Sequence, residues 1–373
     1  MKADSTGLCG GSSITLPFSD VMGNIFFCQI AEAYFSGLTN GTTSTTYSPS
    51  ANVPREQMAA FVTRTMDQSL RRGSRQAALD QFWTPQNING VGVTTIGASP
   101  FQMSFDGADL WVAVSGQVAR VRASDSKLLE TWTNATGATN LIPVKGSIFV
   151  GGNSLYLIDP TQPAGPVAMI DNLPTPAHGI AYDGRFIWTA NAAFSGTGGS
   201  VSSVNVYPPY TISHGFVGFT SPEGILFDGS NIWVTDLGDD KLKQLDSSGN
   251  IIRSVSVGDA PGHAAFDGTN IWVPNQVGGG TGTISVVRAT GALAGTVLAT
   301  LSGNGLSDPL QVAFDGERML ATNAAAGVSL WRASDLTPLG SCDLGTNVMP
   351  YGATSDGLHF WVTLNSAGKL VRF

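Results

Sequence analysis

Proton transfer near neutral pH calls for imidazoles or tuned carboxylates, and this chain carries few of the former. Its four histidines are His178, His214, His263 and His359. His178 and His263 each stand a few residues ahead of an Asp-Gly pair, and Glu223 holds the corresponding place ahead of a third. Three residues beyond a recurring aromatic or its equivalent come Asn191, Asp236, Asn275 and Asn323. If the elements bearing them converge, His178, Asn191, Glu223, Asp236, His263, Asn275 and Asn323 form a polar rim that holds a metal or a polar ligand. The alternative is that each Asn or Asp bonds to its own turn and ends a strand. A hard divalent ion wants several charged oxygens, which this set lacks, so no cofactor is expected. No Gly-x-Ser-x-Gly elbow occurs, and Gly278-Gly279-Gly280-Thr281-Gly282 lacks the Lys of a phosphate loop and reads as a hairpin.

The elements that must position these residues repeat. Six segments carry an Asp-Gly pair followed by a bulky strand: Asp106-Gly107 to Trp111, Asp183-Gly184 to Trp188, Asp228-Gly229 to Trp233, Asp267-Gly268 to Trp272, Asp315-Gly316 to Leu320 and Asp356-Gly357 to Trp361. A seventh, Val144 to Val150, lies in the double-length gap after the first and lacks the Asp. Successive glycines fall 39, 38, 45, 39, 48 and 41 residues apart, the length of one four-stranded propeller blade. A strand opened by Pro precedes most of the Asp-Gly turns, and Asn231-Ile232-Trp233-Val234-Thr235 typifies the buried strand that follows. The two ends are out of phase. Val91 to Ile96 reads as a fourth strand without a blade, and Lys369 to Phe373 as a third strand without a fourth. Pairing them closes a seven-bladed ring and removes exposed sheet edges. The recurring Trp is expected to fill the gap between neighbouring sheets.

Composition narrows the classes. Lys plus Arg number 19 against 27 Asp plus Glu, a formal charge of −8, with 12% charged residues overall. No basic patch for nucleic acid stands out, since Arg71, Arg72 and Arg75 read as a solvated helix end. No run of eighteen apolar residues spans a membrane. Met1-Lys2-Ala3-Asp4-Ser5 has no apolar leader core, so any export leader is expected to have been removed already. Cys9 and Cys28 either pair or stand as two buried thiols, and no spacing among the three cysteines suits a metal.

The chain divides at the start of the repeats, into a domain over 1–73, a linker over 74–90 and the propeller over 91–373. Phe26, Phe27, Ile30, Ala31 and Tyr34 share one helical face, and Gly37 follows as a stop. A second helix is expected from Pro54, with Met58, Phe61, Val62, Thr65 and Met66 as its buried stripe. The order of motifs resembles the S-layer homology domain: Leu16-Pro17-Phe18-Ser19-Asp20-Val21 at the opening, Gly37-Leu38-Thr39-Asn40-Gly41 at the turn, Tyr47-Ser48-Pro49 in the loop, and Val53-Pro54-Arg55-Glu56-Gln57-Met58-Ala59 at the signature. The resemblance implies binding of wall-associated polysaccharide, with Arg55 as the contact and Glu56 and Asp20 beside it. The family often has a Trp where this chain has Phe26 or Phe27, and usually three tandem copies where this chain has one.

The repeats resemble the YVTN and virginiamycin B lyase-like group of seven-bladed propellers, through Ser221-Pro222-Glu223-Gly224-Ile225 and Ile232-Trp233-Val234-Thr235-Asp236 and their cognates. In the lyase subgroup a catalytic His is ringed by carboxylates that bind magnesium. Ala177-His178-Gly179-Ile180 echoes that segment, but Pro176 and Asn191-Ala192 stand where the acids belong. The expected protein is thus mainly β, a seven-bladed β-propeller with a small helical N-terminal S-layer homology domain. The expected function is a secreted cell-surface binding or structural protein that partners cell-envelope polysaccharide or copies of itself. The alternative is an extracellular lyase or metal-dependent lactonase working at the channel mouth.

Overall fold

The computed structural model describes residues 4–9, 12–35, 39–55, 57–59, 61, 93–173, 176–192, 198–278, 280–325 and 327–373. The chain forms two compact units, Met1–Phe82 and Trp83–Phe373. Among the described residues no helix is long and apolar enough to cross a membrane.

The second unit is a seven-bladed propeller built from seven four-stranded antiparallel sheets. The Asp-Gly turn between the first two strands shows why the repeat survives. In the fourth blade Asp228 Oδ1 accepts the backbone N–H groups of Ser230 and Asn231 at 2.8 and 2.7 Å, and Oδ2 accepts the indole N–H of Trp233 at 2.7 Å. Asp106, Asp183, Asp267 and Asp356 clasp Trp111, Trp188, Trp272 and Trp361 in the same way. Where Leu320 replaces the Trp, Asp315 turns its second oxygen to Arg318 Nε at 2.8 Å. The glycine after each Asp has φ between +85° and +106°, a region that a Cβ disfavours. The second blade, lacking the Asp, makes this turn through Lys145 and Gly146, both at positive φ.

Each clasped ring packs on the next blade, as expected. Trp188 clusters with Ile232, Val234 and Leu245, Trp233 with Ile271 and Val273, and Trp272 with Met319 and Ala321. Phe149 and Leu320 take the same position in the two divergent blades, against Ile187 and Phe360. The innermost strands contact one another in sequence around the whole ring.

The ends meet in the seventh blade. Val93–Thr95 pairs antiparallel with Lys369–Arg372, Val93 opposite Val371 and Thr95 opposite Lys369. The seam is locked further in. Thr363 Oγ1 donates to the Phe101 carbonyl at 2.7 Å, and Asn365 Nδ2 to the Pro100 carbonyl at 2.9 Å.

The first unit holds a hairpin that the helical reading omitted, Ser5–Cys9 against Ser12–Leu16. Cys9 and Cys28 form a disulfide that ties it to the helix Phe27–Phe35. Leu16, Phe18, Val21, Phe27, Ile30 and Ala31 make its core. Phe26 departs from the expected stripe and is 60% exposed, because the chain enters the helix there, with the Phe26 N–H bonded to Asn24 Oδ1. Arg55, residues 57–59 and residue 61 are helical, yet Met58 is half exposed rather than buried. Val62, Thr65 and Met66 lie outside the described residues, as does the 74–90 linker.

Replacing Asp228 by Ala strands a buried indole N–H and two turn amides, so a loss of about 2–4 kcal/mol is expected in denaturant unfolding. A loss below about 0.5 kcal/mol would contradict the clasp. Truncation after Asn365 removes the strand that bridges both ends, and should abolish the cooperative transition of the whole ring rather than lower its midpoint slightly.

Candidate functional site

Five of the innermost strands bring a residue four or five places before the turn Asp to the ring axis, while in the sixth blade Gln311 turns to the neighbouring strand. Phe101, His178, Glu223 and Tyr351 occupy the fifth position, and Gln102 and His263 the fourth. With Thr139 of the second blade they line an axial pocket of about 220 Å³, to which six of the seven blades contribute. Strands approach closely enough here that glycine is needed beside the functional side chains: a Cβ on Gly352 would run into the Phe101 carbonyl oxygen.

Three of the expected residues come together. Glu223 Oε2 lies 2.7 Å from His178 Nδ1, and Oε1 lies 3.4 Å from His263 Nε2. Burial works against the Glu223 charge, but the hydrogen bonds and charges of the two imidazoles outweigh it and hold the carboxyl at about 2. For His178 burial disfavours the imidazolium, and the Glu223 carboxylate more than compensates, so its pKa is raised. Burial and then the Glu223 charge push the Tyr351 phenol upward, which keeps its hydroxyl protonated. Phe101 meets Tyr351 edge to face, ring centres 5.4 Å apart, giving the pocket an aromatic wall.

Asn191, Asp236, Asn275 and Asn323 stand one strand further out and are absent from this lining. Asp236 accepts the N–H groups of Thr220 and Ser221 and pairs with Lys243 Nζ at 2.7 Å. Asn275 accepts from the Gly258 N–H and donates to Thr283 and Ser285, and Asn323 accepts from Ser307 and donates to Ser329. Asn191 donates to Ser202 at 2.8 Å. Asp236, Asn275 and Asn323 thus tether the loops that enter their blades, while Asn191 bonds only to the adjacent strand and its Oδ1 meets no hydrogen-bond partner among the described residues. Among the described residues no cluster of three or more His, Cys, Asp or Glu side chains is arranged to hold a metal.

Gln102, Tyr351, Phe101 and Thr139 were not anticipated. The signal was available, since each stands near the same offset from its turn as His178 and Glu223. Gln102 differs from its neighbours. It is 2% exposed, and neither its Nε2 nor its Oε1 meets a hydrogen-bond partner among the described residues. Gln311, at the equivalent position of the sixth blade, uses both: Nε2 donates to the Ala353 carbonyl at 3.0 Å and Oε1 accepts the Ala353 N–H at 2.8 Å.

In the first unit a groove of about 580 Å³ runs along Thr39, Asn40, Thr42, Tyr47, Pro49, Asn52 and Gln57. Asp20 shapes it from behind, accepting the N–H groups of Tyr47 and Ser48 at 2.8 and 2.7 Å. Arg55 is exposed and not part of the lining, and Glu56 lies outside the described residues. No protein-family model matches the chain, and no curated protein matches its sequence.

Glu223 sets a pH window for stability. Its pKa is depressed from 4.5, so its contribution is present above pH 4.5 and is lost as pH falls toward 2. That of His178 is raised above 6.5, so its contribution is full below pH 6.5 and is lost as pH rises through the folded value. The stability gap between the native protein and Glu223→Gln should be widest between pH 4.5 and 6.5, on the order of 2 kcal/mol, and narrow on both sides. Denaturant titrations at fixed pH measure it. A gap independent of pH would contradict the assignment.

Proposed function

We propose that the protein is an extracellular cell-surface binding protein, in which residues 16–70 attach or assemble the chain and the propeller receives a small ligand in its axial pocket. The axial pocket carries this reading. A ring held by its own clasps and seam has no structural need for Glu223 and two histidines around its axis, and pockets with a few convergent polar groups are where ligands bind. The attachment role is supported by the order of S-layer homology-like motifs and by the groove that Asp20 shapes. A single module has a small contact surface, so its modest affinity would be raised by multivalency if chains associate.

An imidazole oriented by a buried carboxylate is also the arrangement of a general base, which is the one observation favouring the enzyme alternative. The carboxylates that a magnesium-dependent lyase would need are missing from the positions where that resemblance puts them. Lactone turnover that disappears in His178→Ala would decide for the enzyme.

Two measurements test the proposal. In cell-envelope pull-down and sizing experiments the intact chain should bind or associate, residues 91–373 alone should not, and Arg55→Ala should weaken binding about tenfold, the loss of one charge-assisted contact. Equal binding by the isolated propeller would remove the attachment role. For the pocket, intact protein is incubated with small molecules from spent growth medium, washed and denatured, and the released compounds are identified by mass spectrometry. Compounds retained by the native chain and not by Phe101→Trp, which fills the pocket, are expected. Identical sets from both proteins would sink axial binding.

A further inference from the structure

We propose that the groove between the fifth and sixth blades, on the face that carries the Asp-Gly turns, binds one hexuronate, free or within a glycan, and that Arg288 takes its carboxylate. The site stands apart from the axial pocket and does not depend on it. Three third strands end alike: Gln117–Arg122, Thr283–Arg288 and Gly327–Arg332 each close on an Arg followed by Ala. In the first and sixth blades the next two residues are Ser-Asp, and that Asp pairs with the Arg. Arg122 Nη1 lies 2.9 Å from Asp125, and Arg332 Nη1 lies 3.2 Å from Asp335. The fifth blade reads Arg288-Ala289-Thr290-Gly291. It keeps the Arg without the carboxylate, and the Arg288 side chain makes no ion pair, hydrogen bond or ring contact among the described residues.

Arg288 lines a groove of about 350 Å³ to which both blades contribute. A guanidinium matches a carboxylate through parallel N–H donors, and a carboxylate is the group that Asp125 and Asp335 supply in the sister blades. The other charges in the lining limit the ligand to one acid. Asp267 spends its oxygens inward, Oδ1 on the N–H groups of Thr269 and Asn270 and Oδ2 on the Trp272 indole, but its charge remains, and Glu317 adds another. Those two carboxylates repel a polyanion, so a single carboxylate on an otherwise neutral body fits the balance. The rest of the lining suits a hydroxylated ring. The Thr269 and Ser334 hydroxyls both donate and accept, as sugar hydroxyls do, and Glu317 accepts. Phe314 packs partly into the core of its blade and also lines the groove, an apolar surface for the C–H face of a pyranose. The volume equals roughly twelve waters' share of liquid, room for one pyranose and its substituents.

The test uses the full chain and methyl β-D-glucuronide, with methyl β-D-glucoside as the uncharged counterpart and acetate as the bare carboxylate, in ligand-observed NMR and calorimetry. The glucuronide should bind at least tenfold more tightly than either control. Arg288→Gln should weaken it at least tenfold and leave the Tm within about 2 °C, because the side chain it replaces holds nothing in the fold. Arg122→Gln, whose guanidinium already has Asp125, should leave the affinity unchanged. Ser334→Trp, which fills the groove with Arg288 still in place, should abolish binding. A hyaluronan hexasaccharide, in which uronates alternate with uncharged sugars, separates the two sources: binding as tight as that of the glucuronide supports a unit within a glycan, and exclusion supports a free sugar acid. No glucuronide binding, or equal binding by Arg288→Gln or Ser334→Trp, overturns the site. Equal binding of the glucoside overturns the role of Arg288, and acetate binding as tightly as the glucuronide overturns the sugar class.

Discussion

The propeller depends on one carboxylate held against one indole. A Trp ring large enough to fill the space between two twisted sheets brings an N–H that must be paired once buried. The turn Asp pairs it with one oxygen while the other gathers the amides of its own turn, as at Asp228. A single side chain therefore sets the turn, orients the ring and fixes the distance to the next blade. The following glycine is part of the device, since it carries the positive φ that lets the turn close under the ring. The sixth blade shows that the carboxylate matters even without the indole: Asp315 keeps its turn and takes Arg318 in place of the missing ring.

Because these clasps sit between the first and second strands, the axial ends of the innermost strands are relieved of that work. Thr363 and Thr322 still stitch blade to blade there, through the carbonyls of Phe101 and Tyr351. The residues between those stitches vary: glycine where strands approach, and Gln102, His178, Glu223, His263 and Tyr351 where side chains meet on the axis. Repetition outside and variation inside is the pattern expected when a scaffold is reused and its centre is specialised.

Blade number and ring closure were legible in the sequence because the Asp-Gly spacing and the phase of the two ends are direct consequences of the clasp and the seam. The second blade was legible through the length of the gap, although Lys145 and Gly146 replace its Asp. His178, Glu223 and His263 could be assembled from their strand position. Asn191, Asp236, Asn275 and Asn323 looked alike because they recur at one strand position, where the last three tether the loop that enters their blade and Asn191 bonds to the adjacent strand. Gln102 and Tyr351 escaped because their meaning lies in what the neighbouring strands do with the same position, which no single repeat shows. In the first unit the hairpin was hidden by its brevity, and the exposure of Phe26 by the entry of the chain into the helix one residue later than the apolar pattern implied.

The most direct measurement is a double-mutant cycle on the clasp, with Asp228→Asn, Trp233→Phe and the double variant compared in denaturant unfolding. The account requires the two losses to be coupled by about 1 kcal/mol or more, because the carboxylate and the indole N–H serve one hydrogen bond. Losses that simply add would contradict it.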